Sequence, residues 1–459
     1  MASSVVSPDA KSQGLSRKER RQLKEKAREQ ARADELEPLR QKLSSDVVDE
    51  QLEAARGLRN LLNGSQAPPL DSVIQAGFVS RLVQLSQGDA QRDLQFEALW
   101  ILTDMTSGTA DQTRAVVDAA VVDALKNLLD SPVASAREQA ATILANLAGA
   151  SHELRDLVLN SGAAASIIKL AKDADGVNRL PISVMRTAAR CLSCLCQGEP
   201  CPFSGDAAKP VFQTLAVFIM SSDDDIIMKA CSALACLRYT AADQVTQLLK
   251  NGVCERLIDL FSHSVDEVQL SAIRASVKIA VGSRQGLDAI MQYQPVPGLK
   301  DMLSSESSMV QKASCSMIAN ILALGSPCVQ DVIDEGCPQL IIDLLHTGDD
   351  DVKRAAARVM AVLSSKCSPE QLKLFVGPDT MTPMVAMLET AAFQSLCEVA
   401  RAALIFIETV LKAGRRLGTE MFEQMLKDAD GVRMLESVPE VSNDRDLCAR
   451  AKALRQIFF

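Results

Sequence analysis

One sequence motif recurs along this chain with a period close to 42 residues. It is a run of small and apolar residues that ends in Gly or Ser, as in WILTDMTSG, ILANLAG and MIANILALG. The equivalent positions in successive copies are Asp104, Asn146, Cys194, Cys236, Lys278, Asn320 and Ala361. The spacings between them are 42, 48, 42, 42, 42 and 41 residues. A second landmark, a turn before an apolar helix, keeps the same period at Gly77, Ala120, Gly162, Gly252, Gln294 and Gly336. Two independent landmarks with one period predict a repeat array.

The composition indicates that the repeats are helical. Hydrophobic residues make up 47% of the chain but aromatic residues only 3%, so the core is built from Leu, Ala, Val, Ile and Met, most of which favour helices. A helical repeat of about 42 residues is typical of armadillo or HEAT arrays. We therefore predict an all-α, right-handed armadillo-repeat superhelical solenoid of about nine to ten units over residues 47–459. The insertion at 173–181 should be a surface loop, and the aspartates of SSDDD and TGDDD should cap helices.

Charge is distributed unevenly along the chain. The formal net charge is −9, whereas residues 15–32 alone carry +5, which leaves −14 for the rest. An acidic body repels phosphates and favours basic ligands, so general nucleic-acid binding is not expected. No uncharged apolar run reaches the roughly 18 residues of a membrane-spanning helix. The 13 cysteines, without a secretory signal, indicate reduced thiols in the cytosol or nucleus.

Several long stretches resemble the importin-α family of nuclear import adaptors. LLNGSQAPPLDSVIQAGFVSRLVQL is similar to the family's first repeat, FEALWILTDMTSGTADQTRAVVDA to its second, and ARAKALRQIFF to its closing repeat. The resemblance covers nearly the whole chain. It implies an adaptor without cofactor or enzymatic activity, present in cytoplasm and nucleus. Its expected partners are importin-β, cargo proteins that carry basic signals, and a nuclear export receptor for recycling.

The basic N-terminal segment, residues 1–46, resembles an importin-β-binding domain. The resemblance implies that its basic side chains bind importin-β: Arg17, Lys18, Arg20, Arg21, Lys24, Lys26, Arg28 and Arg32. We expect part of this segment to be disordered alone and helical when bound. The family's second basic cluster, which folds back onto the adaptor's own groove, is replaced here by ADELEPL. Self-inhibition by this stretch is therefore not predicted.

The resemblance also implies a cargo groove on the concave face of the solenoid. In the family, a Trp and an Asn four residues later face this groove from most repeats, where the ring contacts a Lys or Arg stem. Trp100 occupies the ring position of the second repeat, although a lone Trp is more often a core residue. The cargo-binding positions implied by the resemblance are Trp100, Asp104, Ser107, Gly108, Thr113, Gln139, Asn146 and Asn320.

The Trp/Asn ladder of the family is largely absent. Thr142 and Arg190 replace rings, and Ala150 replaces the carboxylate that captures the key lysine. We therefore predict weak recognition of basic signals, centred on Trp100. In the second half the predicted lining is basic or apolar, so a second basic-signal site should be missing: Lys278, Arg354, Ala357, Arg358 and Ala361.

Other chemistry receives little support from the sequence. Cys191, Cys194 and Cys196 have a spacing that hints at metal, but these positions do not all share one helix face, so no metal site is predicted. No nucleophile elbow, phosphate-binding loop or metalloprotease motif is present. Two functions remain open. One is a nuclear import adaptor, and the other is an armadillo scaffold that has lost recognition of basic signals.

Overall fold

The computed structural model describes most of the chain, and its regular structure there is helical. The described residues are 30, 32, 34–63, 69–88, 91–117, 121–172, 181–198, 201–203, 208–239, 242–323, 328–393, 397–442 and 444–459. None of these residues forms a β-strand, which confirms the prediction of an all-α fold. They divide into two compact units, one ending at Pro202 and the other beginning at Phe203.

The N-terminal unit is a succession of helix triplets that follows two initial helices. Residues 34–43 form helix α1. The remaining helices of this unit are α2 (Val48–Asn63), α3 (Leu70–Gln75), α4 (Phe78–Ser86), α5 (Arg92–Thr106), α6 (Ala110–Val117), α7 (Val121–Leu128), α8 (Ala134–Ala150), α9 (His152–Asn160), α10 (Ala163–Lys172) and α11 (Ile182–Cys196). The predicted insertion at 173–181 lies outside the described residues except for its last position.

The C-terminal unit continues the same order of two shorter helices and one longer helix. Its helices are α12 (Ala208–Ile219), α13 (Asp224–Cys236), α14 (Ala242–Lys250), α15 (Val253–Asp259) with a 3₁₀ turn (Leu260–Ser262), α16 (Asp266–Gly282), α17 (Arg284–Met291), α18 (Pro295–Leu303), α19 (Ser308–Ala323), α20 (Cys328–Asp334), α21 (Cys337–Thr347), α22 (Asp350–Lys366), α23 (Pro369–Leu372), α24 (Pro378–Phe393), α25 (Cys397–Arg416), α26 (Met421–Asp428), α27 (Gly431–Val441) and α28 (Arg445–Phe458).

The third helix of each repeat packs against the third helix of the next within each unit. In the N-terminal unit these helices are α2, α5, α8 and α11, and in the C-terminal unit they are α13, α16, α19, α22, α25 and α28. Fully buried aliphatic and Phe side chains fill the space behind them, among them Leu58, Leu82, Phe218 and Phe261. Burial of this kind contributes about 25 cal/mol per Å² of apolar surface, so each repeat is stabilised mainly by its neighbours.

Capping side chains and left-handed turns fix where the helices begin. Asp223 accepts a hydrogen bond from the Ile226 amide, and Asp349 accepts one from the Val352 amide, so both predicted aspartate clusters do cap helices. Gly77 and Gly336 have positive φ at the turn before the second helix of their repeats. At the same point Gln294 has φ 50°, a left-handed conformation that costs a non-glycine residue roughly 1 kcal/mol.

Helix α1 belongs to the folded body although it falls within the predicted N-terminal segment. Its Leu36 and Leu43 side chains are buried, and Lys42 pairs with Glu53 of α2 at 2.8 Å. The part of ADELEPL that the structure describes is therefore packed against the first repeat. No helix in the described part of the chain is long and apolar enough to cross a membrane.

Candidate peptide-binding surface

Each third helix leaves one stripe of side chains partly open to solvent. On α5, α8 and α11 two positions four residues apart are partly exposed within a largely buried run. These positions are Trp100 and Asp104, Thr142 and Asn146, and Arg190 and Cys194. Because four residues make about one helical turn, both members of a pair lie on the same face. We call these six residues the N-terminal face.

The same burial pattern defines the C-terminal face on α16, α19 and α22. Its six residues are Arg274, Lys278, Ser316, Asn320, Arg358 and Val362. The predicted register of the repeat that contains α22 was wrong by one residue. Ala357 and Ala361 are buried and do not line the surface, since Arg358 and Val362 occupy the places equivalent to Ser316 and Asn320. The structural period at this step is 42 residues, not 41.

Trp100 lies on the surface of the N-terminal face and not in the core. Its indole ring is partly exposed and meets the Phe96 ring edge to face, with 6.2 Å between ring centroids. Phe96 lies one turn earlier on α5 and is 37% exposed. The two rings form an aromatic platform that can contact an aliphatic stem or a cation. Phe96 was not predicted from the sequence, although its spacing of four residues from Trp100 was a signal that could have identified it.

Asp104 places a carboxylate one turn beyond the indole ring. Its Oδ2 atom is buried and has no hydrogen-bond partner. Burial raises the pKa of Asp104 above its ordinary value, and the nearby positive charge of Arg59 partly opposes that shift. A buried acceptor without a donor costs about 1–3 kcal/mol. Asp104 as a whole is partly exposed and forms no ion pair with the residues that the structure describes, so its carboxylate can pair with a ligand cation.

A second carboxylate on α5 is already neutralised within the protein. Glu97 is buried, and its oxygens lie 3.1 Å from Arg59 Nη1 and 3.5 Å from Arg56 Nε of α2. This ion-pair cluster joins α2 to α5 behind Trp100. Glu97 Oε2 also lacks a hydrogen bond, but Glu97 has ion pairs with both arginines and Asp104 has none with the described residues. Asp104 is therefore the better placed of the two to pair with a ligand cation.

Asn146 is held by hydrogen bonds from both neighbouring third helices. Its Nδ2 donates to Thr106 Oγ1 of α5 at 3.2 Å, and its Oδ1 accepts from Arg190 Nη2 of α11 at 3.0 Å. Arg190 Nη2 also donates to the Thr142 carbonyl at 3.3 Å. The guanidinium of Arg190 thus lies across the Thr142–Asn146 pair, where it engages the amide predicted to hold a peptide backbone.

Three of the other predicted positions are engaged in local hydrogen bonds, and Gly108 is exposed. Gln139 Oε1 accepts from Thr103 Oγ1 at 2.8 Å, and Ser107 Oγ donates to the Asp104 carbonyl at 2.8 Å. Both Ser107 and Gly108 are exposed. Thr113, by contrast, is fully buried, and its hydroxyl donates to the Thr109 carbonyl. Thr113 therefore does not line the surface as predicted, because its short side chain is directed into the repeat core.

The C-terminal face is basic. Arg274 and Arg358 are exposed, and neither has an ion pair or side-chain hydrogen bond with the residues that the structure describes. On the flank of this face, Asp351 of α22 pairs with Lys312 of α19 at 2.7 Å and with Arg354. These two cations lower the pKa of Asp351 to about 2. Asn320 is partly exposed between the arginine-bearing helices.

Comparison with known proteins identifies the family to which this chain belongs. A model of the armadillo/beta-catenin-like repeat matches residues 109–149 and 325–365. Importin subunit alpha-1b of Oryza sativa subsp. japonica is 30% identical over 90% of this chain and 77% of its own length. Importin subunit alpha-3 of Arabidopsis thaliana is 30% identical over 90% of this chain and 78% of its own. This chain belongs to the importin-α family.

The fold of this chain also matches that of a solved structure. The crystal structure of an engineered protein superposes with a TM-score of 0.77 at 26% identity and covers 91% of this chain and 97% of that one. The armadillo-repeat class predicted from the sequence is thereby confirmed. Members of the importin-α family are adaptors, and this chain is accordingly a non-enzymatic armadillo protein.

In this member of the importin-α family, the three cysteines of α11 contribute to helix packing. Cys191 and Cys196 are buried and Cys194 is partly exposed, and burial raises the pKa of the Cys191 thiol. A raised pKa disfavours the thiolate that would bind zinc. Within the described ranges no cluster of three metal-ligating side chains occurs.

The predicted importin-β-binding residues fall almost entirely outside the described part of the chain. Arg17, Lys18, Arg20, Arg21, Lys24, Lys26 and Arg28 precede residue 30, where the description begins. Arg32 is described and is an exposed helical residue just before α1.

Proposed function

We propose that this protein is a nuclear import adaptor that binds lysine- or arginine-containing segments on its N-terminal face and links them to importin-β. The observation that carries the proposal is the pairing of Trp100 with Asp104 in a member of the importin-α family. A partly exposed ring beside a partly exposed carboxylate that has no ion pair with the described residues suits a ligand with an apolar stem and a cationic end. Lysine and arginine have this combination.

The mode of binding follows from the two groups. The aliphatic stem of a lysine lies against the indole of Trp100, and its ammonium pairs with the partly exposed carboxylate of Asp104. The cation–π contact is worth about 0.5–2 kcal/mol, and a charge-assisted hydrogen bond about 1.5–3 kcal/mol. This pair therefore binds one lysine or arginine of the segment, whereas the neighbouring residues of the segment contribute little binding energy.

Binding of a simple basic signal is expected to be weak. Ala150 supplies no carboxylate, Thr142 supplies no ring, and Arg190 covers Asn146 with a positive charge of its own. Relative to a complete ladder, these differences remove roughly 3–6 kcal/mol, which corresponds to a hundredfold or larger loss of affinity. We expect micromolar or weaker dissociation constants for such peptides.

The link to importin-β is assigned to the basic segment at residues 15–32. The segment carries a net charge of +5, whereas the rest of the chain carries −14. A segment with this charge is suited to an acidic partner. Shuttling between cytoplasm and nucleus, with return by an export receptor, belongs to the same proposal.

A pull-down on immobilised importin-β tests the link. Wild-type protein should be retained, and a variant that lacks residues 1–29 should not. That truncation leaves α1 and its contacts with α2 in place, so an unchanged thermal melt serves as the folding control. Equal retention of both proteins would show that the basic segment is not the ligand of importin-β. Retention of neither would favour a scaffold outside nuclear import.

A further inference from the structure

We infer that the C-terminal face binds an extended acidic peptide, a ligand opposite in charge to the one proposed for the N-terminal face. The exposed stripes of α16, α19 and α22 carry five cations, which are Arg274, Lys278, Lys312, Arg354 and Arg358. Over their whole length the three helices carry seven basic and four acidic side chains, and the acidic ones are Asp266, Glu267, Asp350 and Asp351. A local excess of positive charge on an otherwise acidic chain attracts acidic ligands.

Two of these cations are available to a ligand. Lys312 and Arg354 are engaged by Asp351, so this trio is close to charge-balanced and forms the flank of the site. Arg274 and Arg358 are exposed, and no ion pair joins either to another described residue. Each guanidinium offers a planar fork of donors that matches a carboxylate. These two arginines are therefore the specific contacts that we assign.

Asn320 lies on the helix between the two arginines. Its amide presents both a donor and an acceptor, which suits the alternating N–H and C=O groups of an extended peptide backbone. The side chain is partly exposed. An amide at this place argues for a peptide in preference to a nucleic acid, whose backbone has no N–H donors.

The spacing of the helices sets the length and pattern of the peptide. Adjacent packed helices lie about 8–10 Å apart, so Arg274 and Arg358, which are two helices apart, are separated by roughly 16–20 Å. An extended chain advances about 3.3 Å per residue, so this distance corresponds to about six residues. Residues i and i+6 of an extended chain point to the same side. Carboxylates with that spacing reach both arginines while the backbone passes Asn320.

Fluorescence anisotropy on the full chain tests this inference. The probe is a labelled 12-residue peptide in which Asp and Glu alternate with Ser, compared with a peptide that has Asn and Gln in their places. We expect saturable binding of the acidic peptide only, weakened as NaCl rises from about 50 to about 300 mM because exposed charges are screened. The double variant R274E/R358E should bind at least about tenfold more weakly.

Matched variants separate this effect from a general change of charge. R416E/K452E changes charge equally at exposed positions of the same unit outside the three stripes and should bind like wild type. The double variant R274Q/R358Q removes the two charges without reversing them. It replaces R274E/R358E in the test if the reversed charges unfold the protein. Trp100→Ala should leave acidic-peptide binding unchanged, which keeps this test independent of the proposed function.

Three results would overturn the inference. One is absence of saturable binding of the acidic peptide at low salt. Another is equal weakening by R416E/K452E and R274E/R358E. The third is displacement of the peptide by a 12-nucleotide single-stranded oligonucleotide at the same or lower concentration, which would make the face a general polyanion site.

Discussion

The N-terminal and C-terminal faces are built from equivalent positions of one repeat but have opposite chemistry. On α5 the two positions hold a ring and a carboxylate, Trp100 and Asp104, whereas on α16 they hold Arg274 and Lys278. The buried residues around them follow the same pattern in both units. The repeat thus fixes where a ligand-facing side chain lies, and the residue at that place decides which ligand charge is accepted.

The largest expected effect is loss of the ring on the N-terminal face. Trp100→Ala should weaken a single-cluster basic peptide by about tenfold to thirtyfold, because it removes the cation–π contact and the apolar support of the lysine stem. Calorimetric titration measures this change. Leu157→Ala, which truncates an exposed apolar side chain of the same unit on α9, is the control and should leave affinity unchanged.

Arg190 gives the sharpest test of why the N-terminal face binds weakly. Arg190→Ala frees the Asn146 amide and removes a positive charge from the face, so we expect basic-peptide affinity to rise about threefold to tenfold. Arg114→Ala, at an exposed arginine on α6, serves as the control. A loss of affinity in Arg190→Ala would mean that the arginine positions the peptide instead of competing with it.

The affinity of the N-terminal face for a basic peptide should depend on pH, because Asp104 can take up a proton. Peptide binding needs its charged form, and burial raises its pKa above 3.8, so basic-peptide affinity should fall as pH is lowered toward that raised value. The stability effect has the opposite sign, since the folded state holds the proton more tightly and the burial cost disappears at low pH. Asp104→Asn keeps a neutral hydrogen-bond acceptor, so it should weaken binding only severalfold at pH 7 and remove the dependence on pH. Asp123→Asn should do neither.

The smallest effect is expected from a second basic cluster. A peptide with two clusters should bind no more than about twofold better than a one-cluster peptide of equal length with Ser and Gln in the second cluster, because Arg274 and Arg358 repel added lysines. A tenfold or larger gain would show that the C-terminal face accepts basic ligands and that the contrast between the faces is wrong.

Much of this structure could be predicted from the sequence because its repeats impose the same spacing many times. The period and the capping aspartates lead directly to the helical repeats, whereas Trp100 and Asp104 were implied by the resemblance to importin-α. The period alone did not decide between Ala357 and Arg358 in the run AAARVMAV, where small residues match the motif in two registers. Packing selects the register, because it buries the alanines and exposes Arg358.

The side-chain contacts between repeats could not be predicted from the sequence. Arg190 reaches Asn146 across 44 residues of sequence, and a long flexible side chain can take many directions before neighbouring helices restrict it. The interior position of Thr113 has a similar origin, since a hydroxyl can bond the preceding turn as readily as a ligand. Phe96 was within reach of the spacing argument, but its exposure depends on the packing of α5.

Intrinsic fluorescence tests the central claim most directly, because Trp100 is the chain's only tryptophan and lies on the proposed binding face. Titration with an unlabelled single-cluster basic peptide should change its emission in a saturable way, with a dissociation constant in the micromolar range or weaker. An acidic peptide bound at the C-terminal face should leave the emission unchanged. Tight, nanomolar binding of the basic peptide without any change in tryptophan emission would contradict the claim and place the cargo site elsewhere on the repeats.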